Sequence, residues 1–173
     1  MAVDVLKVGA LLFAAALLQV SVLGSIEILG GSPDLVLVTL VGVALLRGAI
    51  YGACAGFFAG LLLDTANLET LGFTSLLLTI AGYWIGRYGE TTGRDRSHAP
   101  LLSVAVVSIL YALGALGLHV VLGEPAPAQV VLVDSLAPTI LFNLLLTVPV
   151  YALCRRFLGH PEWRRTGVRL LVR

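Results

Sequence analysis

The stretch GAIYGACAGFFAGLLLD, residues 48–64, places glycine at 48, 52, 56 and 60 and ends on Asp64. In water this is a poor helix, since each interior glycine costs about 1 kcal/mol relative to alanine. Lipid changes the balance. There the hydrophobic effect no longer drives one helix against another, and small residues let two backbones approach closely. Gly48, Gly52, Gly56 and Gly60 share one helical face, while Tyr51, Phe57, Phe58 and Leu61 project elsewhere. The spacing specifies a groove for a second helix, supplied by this chain or by another protein.

The whole chain carries the same signal. Of its 173 residues, 58% are hydrophobic and 12% charged, and its mean hydropathy is +0.99. A soluble domain has about 25% charged residues. Too few polar side chains exist here to cover an apolar core, which identifies an integral membrane protein. The first apolar stretch, Val8 to Leu23, has the length of a signal-peptide core, but five more follow, so it reads as a retained first helix. Cys54 and Cys154 show no CxxC or Cys/His spacing and read as small buried residues.

Apolar segments fall at about 6–26, 33–46, 48–63, 71–86, 99–122 and 130–154, followed by a basic tail over 155–173. The first, fifth and sixth are long enough to cross roughly 30 Å of hydrocarbon. The second and third are short, with Arg47 between them. Fusing them would bury Arg47 at mid-membrane, a cost of roughly several kcal/mol. Charge decides the count. With six spans and the N-terminus inside, all 11 basic residues, Lys7 to Arg173, face the cytoplasm. Glu27, Asp34, Asp64, Glu69, Glu124 and Asp134 then occupy external loops that hold no Lys or Arg, as the positive-inside rule requires. The expectation is an all-α membrane protein: one six-transmembrane-helix bundle over residues 1–173, with both termini in the cytoplasm.

Local signals refine this. Ser32-Pro33 reads as N-cap and first residue of the second helix. The two short helices turn at Arg47-Gly48, shielded by the other helices or thinning the bilayer. Gly82 and Gly86 give the fourth helix its own small-residue face. Asn143, between Pro138 and Pro149, reads as helix–helix glue, and Gln19 is a second polar group at depth. Asp64, Asp134 and His119 read as wet interfacial residues near external helix ends. The tail holds six arginines beside the membrane, a pattern that attracts anionic lipids. Arg47, Arg87, Arg155, Arg156 and Trp163 are the candidate topology and lipid anchors, alongside Tyr83, Trp84 and Tyr88. No Ser/His/Asp set, HExxH, paired DxD or phosphate loop is present, so the chain reads as non-enzymatic, with no catalytic residue, cofactor, metal or nucleic-acid partner.

One segment is more specific. Pro33 and Asp34 open a short helix that ends at the basic turn of Arg47. Gly52, Gly56, Phe57, Gly60, Leu61 and Asp64 follow, then Leu71-Gly72, and a helix carrying Gly82-Tyr83. In this order the chain resembles the MreD family of bacterial rod shape-determining proteins; residues 1–32 and 99–173 match only in hydropathy and length. The resemblance implies a protein without catalytic activity that acts with MreC, the MreB cytoskeleton, the glycosyltransferase RodA and a class B penicillin-binding protein. It also implies a fold like that of the substrate-binding components of energy-coupling-factor vitamin transporters. On this reading the chain is a membrane scaffold that docks MreC. The candidate contacts are the face of Gly48, Gly52, Gly56, Phe57 and Gly60 and the loop from Asp64 through Leu71 to Gly72. The alternative is a vitamin-binding transporter component, whose pocket would need Asp64, Asp134, His119 and Asn143.

Overall fold

A computed structural model of the chain describes residues 2–23, 31–68, 71–93, 98–122 and 136–159. These form six α-helices, with no β-ladder among the described residues. They are α1 (Ala2–Ser21), α2 (Leu35–Arg47), α3 (Ala49–Asn67), α4 (Phe73–Tyr88), α5 (Ala99–Leu122) and α6 (Leu136–Leu158). One π-helical turn, Gly89–Gly93, extends α4.

α2 lies at the centre. Every residue from Val36 to Leu46 is buried, and the helix contacts all five others. Its sequence, VLVTLVGVALL, is apolar on all sides, as a helix surrounded by protein must be. At 13 residues it spans only about 20 Å, so its ends fall within the fold and the surrounding helices shield them. The N-cap is Asp34, not Ser32, and Pro33 precedes the helix. The Asp34 carboxylate accepts the Leu37 amide at 2.9 Å, a charge-assisted bond stronger than a serine hydroxyl offers.

α2 and α3 are separate helices because the chain breaks at Gly48. Its φ of 94° and ψ of −176° are essentially open to glycine alone. α3 passes Asp64 and continues to Asn67, four residues beyond the apolar run at 48–63.

The glycine face is filled from within the chain. α3 and α4 share the most extensive contact among the described helices. A Cβ at Gly52 would strike the Gly82 carbonyl, one at Gly56 the Leu78 carbonyl, and one at Gly60 the Ser75 backbone. From the other side, Gly82 meets Gly52, and Gly86 meets the backbone of Ala49. The two backbones touch along about three turns, and the Ser75 hydroxyl donates to the Phe57 carbonyl at 2.9 Å. The face offered by Gly48, Gly52, Gly56 and Gly60 is therefore not open to a partner helix. Phe57 and Phe58 point outward and pack edge to face, with ring centroids 5.5 Å apart.

The outer surface is apolar. Leu6, Phe13, Ile50, Phe58, Trp84 and Leu145 are all more than half exposed. A soluble protein rarely leaves so much apolar surface uncovered, whereas lipid covers it without cost. Val3–Ser21, Ala49–Asn67 and Leu136–Leu158 are long and apolar enough to cross a membrane, and Leu35–Arg47 and Ala99–Gly114 are shorter apolar helices. The cysteines are free, and Cys54 departs from the buried position expected of it: it lies exposed on the outer face of α3, while Cys154 is buried against Gly42.

Gly56→Ala should lower the unfolding free energy by about 1–3 kcal/mol, the usual cost of forcing a methyl into a filled contact. Gly9→Ala, whose added carbon would meet nothing within 4 Å, should not destabilise. Unfolding of both variants in the same detergent, followed by circular dichroism, checks the contrast.

Candidate functional site

The α3–α4 pair is closed at both ends by carboxylates. Asp64, on the last full turn of α3, is completely buried. Its Oδ2 accepts the Gly72 amide at 2.7 Å and the Ser75 amide at 3.5 Å, and its Oδ1 accepts the Thr74 amide at 3.2 Å. These N–H groups open α4 and have no acceptor inside their own helix. Asp64 is thus not the wet interfacial carboxylate expected from its place in the sequence. Three backbone donors and the positive end of the α4 dipole surround its carboxyl oxygens and satisfy them in the interior. Gly72, with φ of 95°, supplies the left-handed turn that aims those donors inward.

The opposite end mirrors this arrangement. Glu90, in the π-turn after α4, accepts the Ala49 amide through Oε1 at 2.9 Å and so caps α3. Its Oε2 meets Arg87 at 3.3 Å. Each helix of the pair therefore leads into an acid that caps the other's N-terminus. Glu90 attracted no notice in the sequence, where it sits beyond the apolar run.

Between the two caps the polar groups do similar work for α2. Gln19 of α1 accepts the Val36 amide at 2.8 Å. Asn143 of α6 accepts the Asp34 amide at 2.8 Å and donates to Ser108 of α5 at 3.0 Å. One small network thus joins α1, α2, α5 and α6, as the reading of Asn143 as glue anticipates. At the other end of α2, Arg47 pairs with Asp4 at 2.7 Å and donates to the Leu158 carbonyl at 2.7 Å. Its side chain is only 10% exposed, so it clamps the start of α1 to the end of α6 instead of reaching out to headgroups. Arg87, Arg155 and Arg156 are exposed. Trp163 and the tail beyond Gly159, Asp134, and the side chain of His119 lie outside the described residues.

The turn that Asp64 braces presents two exposed apolar side chains, Leu68 at 92% and Leu71 at 70%. Leu68 has φ of 57° and ψ of 31°, a left-handed conformation that glycine or asparagine adopts far more readily. Farther along, α4 and α5 part to leave an apolar groove of about 330 Å³, bordered by Leu77, Ala81, Trp84, Tyr88, Val106 and Tyr111. Among the described residues no three His, Cys, Asp or Glu side chains gather as a metal would require.

Asp64→Asn should lower stability by about 1–3 kcal/mol despite its near-identical size, because an amide nitrogen would face backbone donors. Thermal unfolding in micelles gives the measure.

Comparison with known proteins places this architecture. Neither the curated proteins nor the solved structures searched gave a match to the chain. The family model described as rod shape-determining protein MreD matches residues 4–159, a region that takes in all six helices except the first two residues of α1. With its glycine-packed helix pair, buried Asp64 and apolar exterior inside that match, the chain belongs to the MreD family of rod shape-determining proteins.

Proposed function

We propose that this protein is a non-enzymatic scaffold of bacterial rod shape, which docks MreC and through it supports the elongation complex of MreB, RodA and a class B penicillin-binding protein. It sits in the cytoplasmic membrane as a multi-pass bundle with both termini inside. Family membership supports the role in cell shape. The charge asymmetry supports the orientation, since Lys7, Arg47, Arg87, Arg155 and Arg156 all fall on the side taken as cytoplasmic.

Leu68 is the observation that carries the docking surface. A leucine that is 92% exposed gives the fold no burial, and its left-handed backbone costs of order 1 kcal/mol. Fold stability alone would favour asparagine or glycine there. A side chain kept at a cost to its own fold is explained by use. In this reading Leu68 and Leu71 grip MreC just outside the membrane, beside the α4 start that Asp64 caps. The single membrane helix of MreC lies in the groove between α4 and α5. The glycine face takes no part, because α4 already fills it.

The vitamin-transporter alternative finds little support in the arrangement of polar groups. Asp64 and Asn143 spend their oxygens on different helix starts and form no common pocket. Nothing in the described arrangement of these polar groups favours a vitamin over a partner protein.

Leu68→Asn combined with Leu71→Asn should fold at least as stably as the parent yet co-purify several-fold less MreC. Val106→Trp, which fills the groove, should do the same without touching the turn. If both variants retain MreC at parental levels and support rod shape, the proposed surface is wrong.

A further inference from the structure

A second cleft lies between α5 and α6, at the end of the bundle where Arg47 and Glu90 also sit. It measures about 560 Å³. Arg155 and Arg156 stand on one side of it, on the last turns of α6, and both are exposed. Leu101, Val148 and Ala152 give it apolar walls, and Tyr151 contributes a phenol. Among the described residues no acidic side chain borders it.

Two features concentrate positive charge at this cleft. The last turn of α6 carries two adjacent arginines, where its C-terminal dipole favours cations. Leu101 belongs to the first turn of α5, so the positive end of the α5 dipole reaches the same cleft. Two guanidinium groups and a helix N-terminus concentrate positive potential at one place, directly above an apolar slot. That combination is complementary to a molecule with an anionic head and a hydrocarbon tail. Basic pockets between membrane helices on the cytoplasmic side bind phosphate-bearing lipid headgroups, and guanidinium engages phosphate oxygens in bidentate fashion.

We infer that this cleft binds one anionic phospholipid, its phosphate held by Arg155 and Arg156 and an acyl chain laid against Leu101, Val148 and Ala152. This site is separate from the surface proposed for MreC: it lies at the opposite end of the bundle from Leu68 and shares no lining residue with the groove between α4 and α5. A bound lipid would tie α5 to α6 where their contact opens.

Native mass spectrometry of the full-length protein, released from micelles containing equal amounts of phosphatidylglycerol and phosphatidylcholine, tests the site. Retention of a single phosphatidylglycerol, at least ten-fold over phosphatidylcholine, is expected. Arg155→Gln with Arg156→Gln should reduce it by about five-fold for each arginine removed, whereas Arg155→Lys with Arg156→Lys, which keeps the charge but loses the bidentate fork, should give an intermediate loss. Val148→Trp, which fills the apolar slot and leaves the charges intact, should also reduce it. A tail variant, Arg164→Gln with Arg165→Gln and Arg169→Gln, should change retention less than two-fold. Glycerol phosphate, which has the head without the chains, should fail to displace the lipid. Equal retention of the two lipids would overturn the inference. So would loss in the tail variant alone, or full displacement by glycerol phosphate.

Discussion

Every helix that starts inside this bundle must find acceptors for its first N–H groups where water does not reach. That constraint organises the buried polar chemistry of the fold. In a low-dielectric interior an unpaired amide costs several kcal/mol, and the short helices α2 and α4 have ends that cannot reach solvent freely. Asp34, Gln19 and Asn143 meet the need for α2, Asp64 for α4 and Glu90 for α3. Side chains that resemble the start of a ligand pocket in the sequence are occupied with backbone. The glycines belong to the same arrangement: Asp64 and Glu90 reach the opposing helix only because Gly52, Gly56, Gly60, Gly82 and Gly86 bring α3 and α4 into backbone contact.

The helix pair is capped at both ends and in backbone contact along its length, so its inner face is used up. The remaining surface offers a strained leucine turn at one end, an apolar groove along the outer side of α4, and an arginine-lined cleft at the other end. Among the described residues no metal-binding group of His, Cys, Asp or Glu lies on them.

Much of this was legible in the sequence. Composition gave the all-α membrane character, and the four-residue glycine beat gave a close helix contact, though not its partner. Asn143 could be read as glue because a lone amide at depth has few other uses. Other features stayed hidden for physical reasons. Asp64 looked wet because hydropathy places it where an apolar run stops, while its burial depends on Gly72, Thr74 and Ser75 folding back over it. Arg47 looked like a headgroup anchor because Asp4 and Leu158, its partners, are 43 and 111 residues away. The central place of α2 was also out of reach. A short apolar segment in a membrane protein has the same hydropathy whether it faces lipid or neighbouring helices, and only its lack of large exposed side chains in the fold distinguishes the two.

The reciprocal carboxylate caps are the centre of this account, and amide hydrogen exchange reads them directly. In the intact protein the amides of Thr74 and Ser75 should exchange as slowly as those in the middle of α4, although they lie in its first turn, and Asp64→Asn should speed both selectively. Exchange of these two amides at the rate of an open helix end, unchanged by loss of the Asp64 charge, would contradict it.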